Sequence, residues 1–341
     1  MAFIRSKLNL GSLARVAFRW SGPGMALVSY SSQEPYLVTA VQGKSKSRIS
    51  GEQSVVQLGV LSGVHRRFPV AVPQRNQATQ CFGEDSYFFS SSPTADVIGV
   101  ADGVGGWRYM GIDAGLFAKD LMHRCFTHAQ RNNFDARHPR NLLIQCYGEM
   151  KRNRKPILGS STACVVALNR SESALYTANL GDSGFMVIRN GSVLNRSEEQ
   201  THCFNMPFQM SVPPPESNRD SWFCDDPSLA VATRLLLKPN DLVLLATDGL
   251  FDNMPESMLL EMLAKVQGAH EEKVLQEAVN RVVARAEALS TNPIYMSPFA
   301  IKALENNVDY PRGGKPDDIT VVLASVAMRK RQTTAGNSTE F

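Results

Sequence analysis

The acids of this chain fall where apolar runs begin or end. Asp102 closes the run Asp96-Val-Ile-Gly-Val-Ala101, Asp248 follows Leu242-Val-Leu-Leu-Ala-Thr247, and Asp182 follows Tyr176-Thr-Ala-Asn-Leu-Gly181. Asp317 and Asp318 stand just before Ile319-Thr-Val-Val-Leu323, and Glu84 and Asp85 just before Ser86-Tyr-Phe-Phe89. Four of these places carry a neighbouring glycine, Gly83, Gly103, Gly181 and Gly249, which lets the backbone approach closely. Carboxylates gathered at one end of a sheet repel one another unless protons or cations neutralise them. Hard oxygen donors, with no Cys and no nearby His, favour Mg²⁺ or Mn²⁺ over Zn²⁺. Two ions about 3.5–4 Å apart, bridged by one carboxylate, would make a water nucleophilic at neutral pH. An Asp-Gly pair after a strand can also be simply a turn; four such sites together favour the metal reading.

The runs that deliver these acids are short and rich in β-formers. Strands are predicted at 96–101, 162–168, 174–179, 242–247 and 319–326. Phe185–Arg189 and Ser192–Leu194 flank Asn190-Gly191, whose tolerance of positive φ suits a type I′ hairpin. Helices are predicted at 113–131, 141–153, 255–266 and 270–290, the third with Asn253 as its cap and Pro255 in its first turn. Strands arrive in hairpins and helices in pairs, without regular βαβ alternation. The pattern predicts an α+β fold of antiparallel sheets flanked by helical layers, and argues against a doubly wound parallel sheet.

Composition narrows the function. Among 341 residues, 36 Lys and Arg face 32 Asp and Glu, and 43% are apolar. Residues 1–83 carry ten basic residues and two acids, so the rest of the chain is mildly acidic. No basic stripe suits nucleic acid, and no apolar run nears the roughly 18 residues of a membrane span. Six widely spaced Cys, with no Cys-x-x-Cys pair, read as free thiols. Nucleophile elbow, phosphate-binding P-loop and zinc-protease motifs are absent, and Gly103–Trp107 lacks dinucleotide-binding spacing. None of the six His adjoins a strand-end acid.

The N-terminal 33 residues hold Arg5, Lys7, Arg15 and Arg19, several serines, large apolar residues and no acid. That composition predicts a mitochondrial transit peptide, since Arg15 and Arg19 interrupt any secretory apolar centre. The basic residues are not segregated on a helical wheel, and a basic tail without targeting function is the alternative. The expected organisation is a transit peptide and linker at 1–34, a domain at 35–327 with an insertion at 44–78, and a disordered tail at 328–341.

Taken together, the series Gly83-Glu-Asp-Ser86, Val100-Ala-Asp-Gly-Val-Gly-Gly-Trp107, Gly159-Ser-Ser-Thr-Ala163, Ala178-Asn-Leu-Gly-Asp-Ser183, Ala246-Thr-Asp-Gly-Leu-Phe-Asp252 and Lys315-Pro-Asp-Asp-Ile-Thr-Val321 resembles the metal-dependent type 2C serine/threonine protein phosphatases. Tyr36–Gly43 resembles that family's opening strand. The resemblance implies a central antiparallel β-sandwich with helices on both faces. It implies that Asp102 bridges two Mn²⁺ or Mg²⁺ ions, with the Gly103 carbonyl and Glu84 completing one and Asp248 and Asp317 holding the other. Asp85 would support a bound water, and Asp182 with Asp252 would form the third-metal region found in some members. Asp102 and Asp248 are thus the expected catalytic residues, serving direct attack of bridging water on phosphorus, without a phosphoenzyme.

The segments Asn179–Phe185, Thr247–Met254, Tyr295-Met-Ser-Pro-Phe299 and Arg312–Asp318 resemble more narrowly the mitochondrial branch, also called the T-cell activation phosphatase 2C-like group. This implies phosphoprotein substrates in the mitochondrial matrix, among them enzymes of ubiquinone biosynthesis. Two positions depart from the family pattern. Val104 stands where many members carry a His proposed as general acid, and Gln80 where many carry an Arg that grips phosphate. Arg75, Arg108, Arg312 and Lys315 are the candidate substitutes for that Arg. A pseudophosphatase that binds phosphoproteins through the same groove is the alternative from another class, though every metal carboxylate is retained. A metal phosphoesterase for a small molecule is the third reading.

Overall fold

Alternation along the strands explains the layers. In Leu242–Ala246, Leu242, Leu244 and Ala246 point to one apolar cluster and Val243 and Leu245 to another, and Ile319–Val326 divides in the same way. Strands apolar on both faces must lie between two packed layers.

The computed structural model describes residues 33–46, 77–218, 222–310 and 312–330. The transit segment expected at 1–34 and the insertion expected at 44–78 fall almost wholly outside them. The strands are β1 (Gln33–Lys44), β2 (Gln77–Phe82), β3 (Asp85–Ser91), β4 (Ala95–Asp102), β5 (Gly159–Ser161), β6 (Ala163–Asn169), β7 (Ala174–Leu180) and β8 (Gly184–Arg189). They continue as β9 (Ser192–Arg196), β10 (Thr201–Cys203), β11 (Met206–Pro207), β12 (Met210–Val212), β13 (Val231–Leu236), β14 (Leu242–Ala246) and β15 (Ile319–Lys330). The helices are α1 (Ala114–Ala129), α2 (Pro139–Arg152), α3 (Asp248–Phe251), α4 (Glu256–Ala264), α5 (Glu272–Ser290) and α6 (Pro298–Glu305).

Two antiparallel sheets, β1-β15-β14-β8-β9 and β13-β7-β6-β4-β3-β2, face each other. Ile98, Val166, Phe185, Leu245 and Val322 pack between them. The outer face of the second sheet is covered by α1 and α2 through Phe117, Leu121 and Leu143, and that of the first by α4 and α5 through Leu259, Leu275 and Val282. This is the expected α+β architecture, a β-sandwich with helices on both faces. Among the described residues, no helix is long and apolar enough to cross a membrane.

Three local readings change. Pro255, not Asn253, caps α4; the Asn253 amide instead donates to the Gly249 and Lys315 carbonyls and accepts from the Lys315 N–H, tying α3 to the loop before β15. Helix α6 was not expected, although Ser297 caps it through the Ala300 N–H and Pro298 opens it. The last strand runs three residues into the segment read as a tail: Met328, Arg329 and Lys330 pair with Pro35, Glu34 and Gln33, and Arg329 bonds Glu34 at 2.8 Å. Asn190 and Gly191 both adopt positive φ, as the hairpin between β8 and β9 requires.

Candidate active site

Strand register brings the acids to one end of the sandwich. Asp85 pairs with Asp102 across β3 and β4, Leu180 pairs with Ala163 just before Asp182, and Ala246 pairs with Val321 beside Asp248 and Asp317. Asp102, Gly103, Asp182, Asp248 and Asp317 line one cavity of about 450 Å³. Asp252 and Asp182 line a smaller one beside it. Glu84 and Asp85 lie directly behind, both fully buried. All eight residues singled out in the sequence are thus gathered.

Backbone bonds fix the rims. The Gly103 N–H donates to the Glu84 carbonyl at 3.2 Å, and the Thr162 N–H to the Asp102 carbonyl at 3.0 Å. The Thr247 hydroxyl donates to Asp85 at 2.7 Å and accepts the Thr320 N–H at 3.0 Å. Asp318, a strand-end acid not assigned a site role from sequence, is a positioning residue: its carboxylate accepts the Lys46 N–H at 2.7 Å and the Glu84 N–H at 2.9 Å. Gly83 allows this contact, because it sits at φ 67° and a Cβ there would overlap the Asp318 carboxylate.

Four basic groups stand among the acids, Lys302 the furthest out with its Nζ 3.8 Å from Asp252. Lys315 Nζ lies 2.5 Å from Asp248 and 2.7 Å from Asp252, Lys46 Nζ lies 2.6 Å from Asp317, and Arg108 forks onto Glu84 at 2.5 and 2.7 Å. Lys46 lies in the first three residues of the expected insertion and is not among the residues assigned from sequence. Its signal was its place just past the end of the opening strand, on the rim where the acids fall. Of the other candidates for gripping phosphate, Arg75 lies outside the described residues and Arg312 is exposed and does not line the cavity.

Charge is not balanced by these heads. Burial, then Asp248, pushes the Asp102 carboxyl well above the usual carboxylate range; burial, then Asp318, does the same to Asp85, and burial, then Asp248, to Asp182. Burial lifts Asp252 to about 6 against the pull of Lys315. At Asp248 burial also pushes upward, but Lys315 overrides it and holds the group below its ordinary value. The Oδ1 atoms of Asp182 and Asp248 are buried without a hydrogen-bond partner. Among the described residues no three acids, His or Cys converge on one point as a ready coordination shell. The ammonium groups of Lys46 and Lys315 stand between the carboxylates instead.

A carboxyl whose folded pKa is raised contributes stability below its unfolded value, near ~4, and loses it as pH climbs through the folded value. Without divalent metal, the wild type should therefore lose stability relative to Asp252→Asn as pH rises from about 4 to about 6. Melting curves of both proteins in EDTA check this; a difference that stays flat with pH would sink it.

Comparison with known proteins agrees with the motif series. The family model "Protein phosphatase 2C" matches residues 74–284. The chain belongs to this family and is a protein serine/threonine phosphatase, a phosphoric monoester hydrolase. It is 73% identical to "Protein phosphatase PTC7 homolog fig" of Drosophila pseudoobscura pseudoobscura, over 100% of this chain and 96% of that protein. It is 54% identical to the Drosophila melanogaster protein of the same name, over 87% of this chain and 86% of that one. Among solved structures, the photosystem II phosphatase PBCP superposes with TM-score 0.61 at 27% identity, covering 72% of this chain and 92% of that one.

Proposed function

We propose that the gathered acids hold Mn²⁺ or Mg²⁺, and that the enzyme hydrolyses phosphoserine and phosphothreonine in proteins of the mitochondrial matrix, including enzymes of ubiquinone biosynthesis. The observation that carries the metal reading is the pair of buried, unpartnered oxygens of Asp182 and Asp248 on the cavity wall. The donors are all oxygens, as hard divalent cations require. Eight carboxyl groups, Asp318 included, also face Lys46, Arg108, Lys315 and, at 3.8 Å from Asp252, Lys302, which leaves negative charge for cations to neutralise. In this assignment Asp102 would serve both ions, Glu84 and the Gly103 carbonyl would help hold one, and Asp248 and Asp317 the other. Asp85 would support from behind, and Asp182 and Asp252 would serve a third ion. Such ions supply Lewis-acid polarisation of the phosphoryl group and activation of water.

The chain's own residues do the rest. Lys46, whose ammonium lines the cavity beside Asp317, is the residue placed to bind a phosphoryl oxygen, the task left open by Gln80. Arg108 stays on Glu84 and holds that carboxylate in place. Among the described residues no histidine lines the cavity, and in keeping with Val104 we assign to water the proton that the leaving serine or threonine oxygen takes. Family membership and the relatives named as phosphatases do not favour a silent pseudophosphatase.

For the transit segment the mitochondrial reading rests on the acid-free, Arg- and Ser-rich composition of residues 1–33. The domain is assigned to 35–327 with an insertion at 44–78, apart from the strand residues noted above. Phosphate release from a phosphothreonine peptide should require Mn²⁺ and stop with EDTA. Deleting residues 1–33 should leave that rate intact while moving the tagged protein from mitochondria to cytosol. Retained mitochondrial location after the deletion would overturn the transit-peptide reading, and turnover in EDTA would overturn the metal reading.

A further inference from the structure

The cavity that holds the acids has a second, apolar wall that the hydrolysis itself does not use. Trp107 and Trp222 stack there with ring centroids 4.6 Å apart and planes 14° apart, flanked by Met110, Met206 and Phe223. Water should be displaced readily from such a wall, yet Met110 is 48% exposed and Phe223 44% exposed. Those two leave apolar surface open to solvent beside the reacting centre.

The wall is built and held. Trp107, buried in the 3₁₀ turn Gly105–Met110, donates its indole N–H to Ser160 at 2.6 Å, and Ser160 donates to Gln209 at 2.6 Å. The segment carrying Trp222 and Phe223 is pinned where the Ser211 hydroxyl donates to the Phe223 carbonyl and where the Asp225 N–H donates to the Gln209 carbonyl at 2.9 Å. His202 packs its ring 4.5 Å from Phe223 and meets Asp225 at 2.9 Å. An aromatic surface held in this way offers contact area at little cost in side-chain entropy.

We infer that this shelf selects the substrate: the enzyme prefers extended phosphopeptides with a bulky apolar side chain within two residues of the phosphorylated serine or threonine. The inference rests on the phosphatase reading and deepens it. Two to three residues of extended chain, at ~3.3 Å each, cross a cavity of this size. With the phosphate at the acid end, the neighbouring side chain lies on the tryptophans. The shelf carries no ionised group, and the basic heads that line the cavity, Lys46 and Lys315, are paired with its acids. On that shelf an acidic neighbour finds no cation and loses hydration, and a serine leaves the shelf wet.

The test uses phosphothreonine peptides that differ only in one flanking residue, Phe, Ser or Asp, with the full chain in Mn²⁺. Both kcat/KM and the affinity of labelled peptides, read by fluorescence anisotropy, are measured. The Phe peptide should exceed the Ser peptide by about tenfold, chiefly in KM. In Trp222→Ala, and in Phe223→Ala should the first fold poorly, the ratio should fall to within about threefold. Tyr109→Ala, at a side chain 97% exposed and off the cavity, should keep the wild-type ratio. Equal rates and affinities for the Phe and Ser peptides in the wild type, or an unchanged ratio in both shelf variants, would overturn the inference. Absence of turnover on every peptide and on p-nitrophenyl phosphate would overturn the phosphatase reading alone, with the anisotropy ratio still deciding the shelf.

Discussion

Replacing Asp102 by Asn is expected to lower turnover of a phosphothreonine peptide by about 10³-fold, equivalent to roughly 4 kcal/mol of barrier. The fold should survive. Asp102 sits at the end of β4, where burial and the charges of Asp248, Asp85, Asp317 and Asp182 all oppose its ionised form. Asn keeps the shape and removes the repulsion, so the metal-free protein at neutral pH should be as stable as the wild type or more so. Denaturant unfolding in EDTA together with steady-state kinetics in Mn²⁺ measures both. A loss of stability that matches the loss of activity would mean that Asp102 is a structural residue. An activity within tenfold of wild type would remove it from the reaction.

The second large effect is expected at Gly249, the second residue of α3, directly after Asp248. A Cβ there would lie 2.1 Å from the Asp318 carbonyl oxygen and 3.1 Å from Ile319. Backbone cannot yield as a side-chain tip can, so Gly249→Ala must push α3 away from β15. Destabilisation of about 3 kcal/mol or more is expected, near the upper end for overpacking. Because Asp248 lies on one side of the contact and Asp317 on the other, activity should fall at least ~100-fold even in the folded fraction. Gly106→Ala, where a Cβ meets nothing within 4 Å, should be tolerated by the fold. If Gly249→Ala were as stable as Gly106→Ala, the close packing of α3 on β15 would be contradicted.

These two sites show why so much of the molecule could be read from its sequence. An apolar run that ends in an acid and a glycine is a local statement: the strand is buried, the acid is at its rim, and the backbone must come close. Asp102, Asp182 and Asp248 could be placed without knowing any partner strand, and their gathering followed once hairpins implied antiparallel pairing. The four long helices could be placed because each covers a sheet face, as Leu121 and Val282 do, and so repeats its apolar residues at helical spacing.

What escaped depends on distant pairings. Lys46 reaches Asp317 across 271 residues, and nothing near Lys46 announces that partner. The Trp107–Trp222 stack joins a turn after β4 to an irregular segment before β13, where no periodicity exists to be read. Asn253 has the right type for a helix cap, yet Gly249 and Lys315 compete for its amide and win. The end of β15 is polar and basic, which favoured a tail; pairing with β1, with Glu34 opposite Arg329, keeps it in the sheet.

The most direct measurement is a Mn²⁺ titration of the metal-free full chain. Bound ion is followed by electron paramagnetic resonance, and phosphate release from a phosphothreonine peptide is recorded in the same samples. Bound metal and rate should rise together, and Asp248→Asn should lose both while remaining folded. Full turnover before any Mn²⁺ is bound, or wild-type binding and turnover by Asp248→Asn, would contradict the account of the acid cluster as the metal centre of this phosphatase.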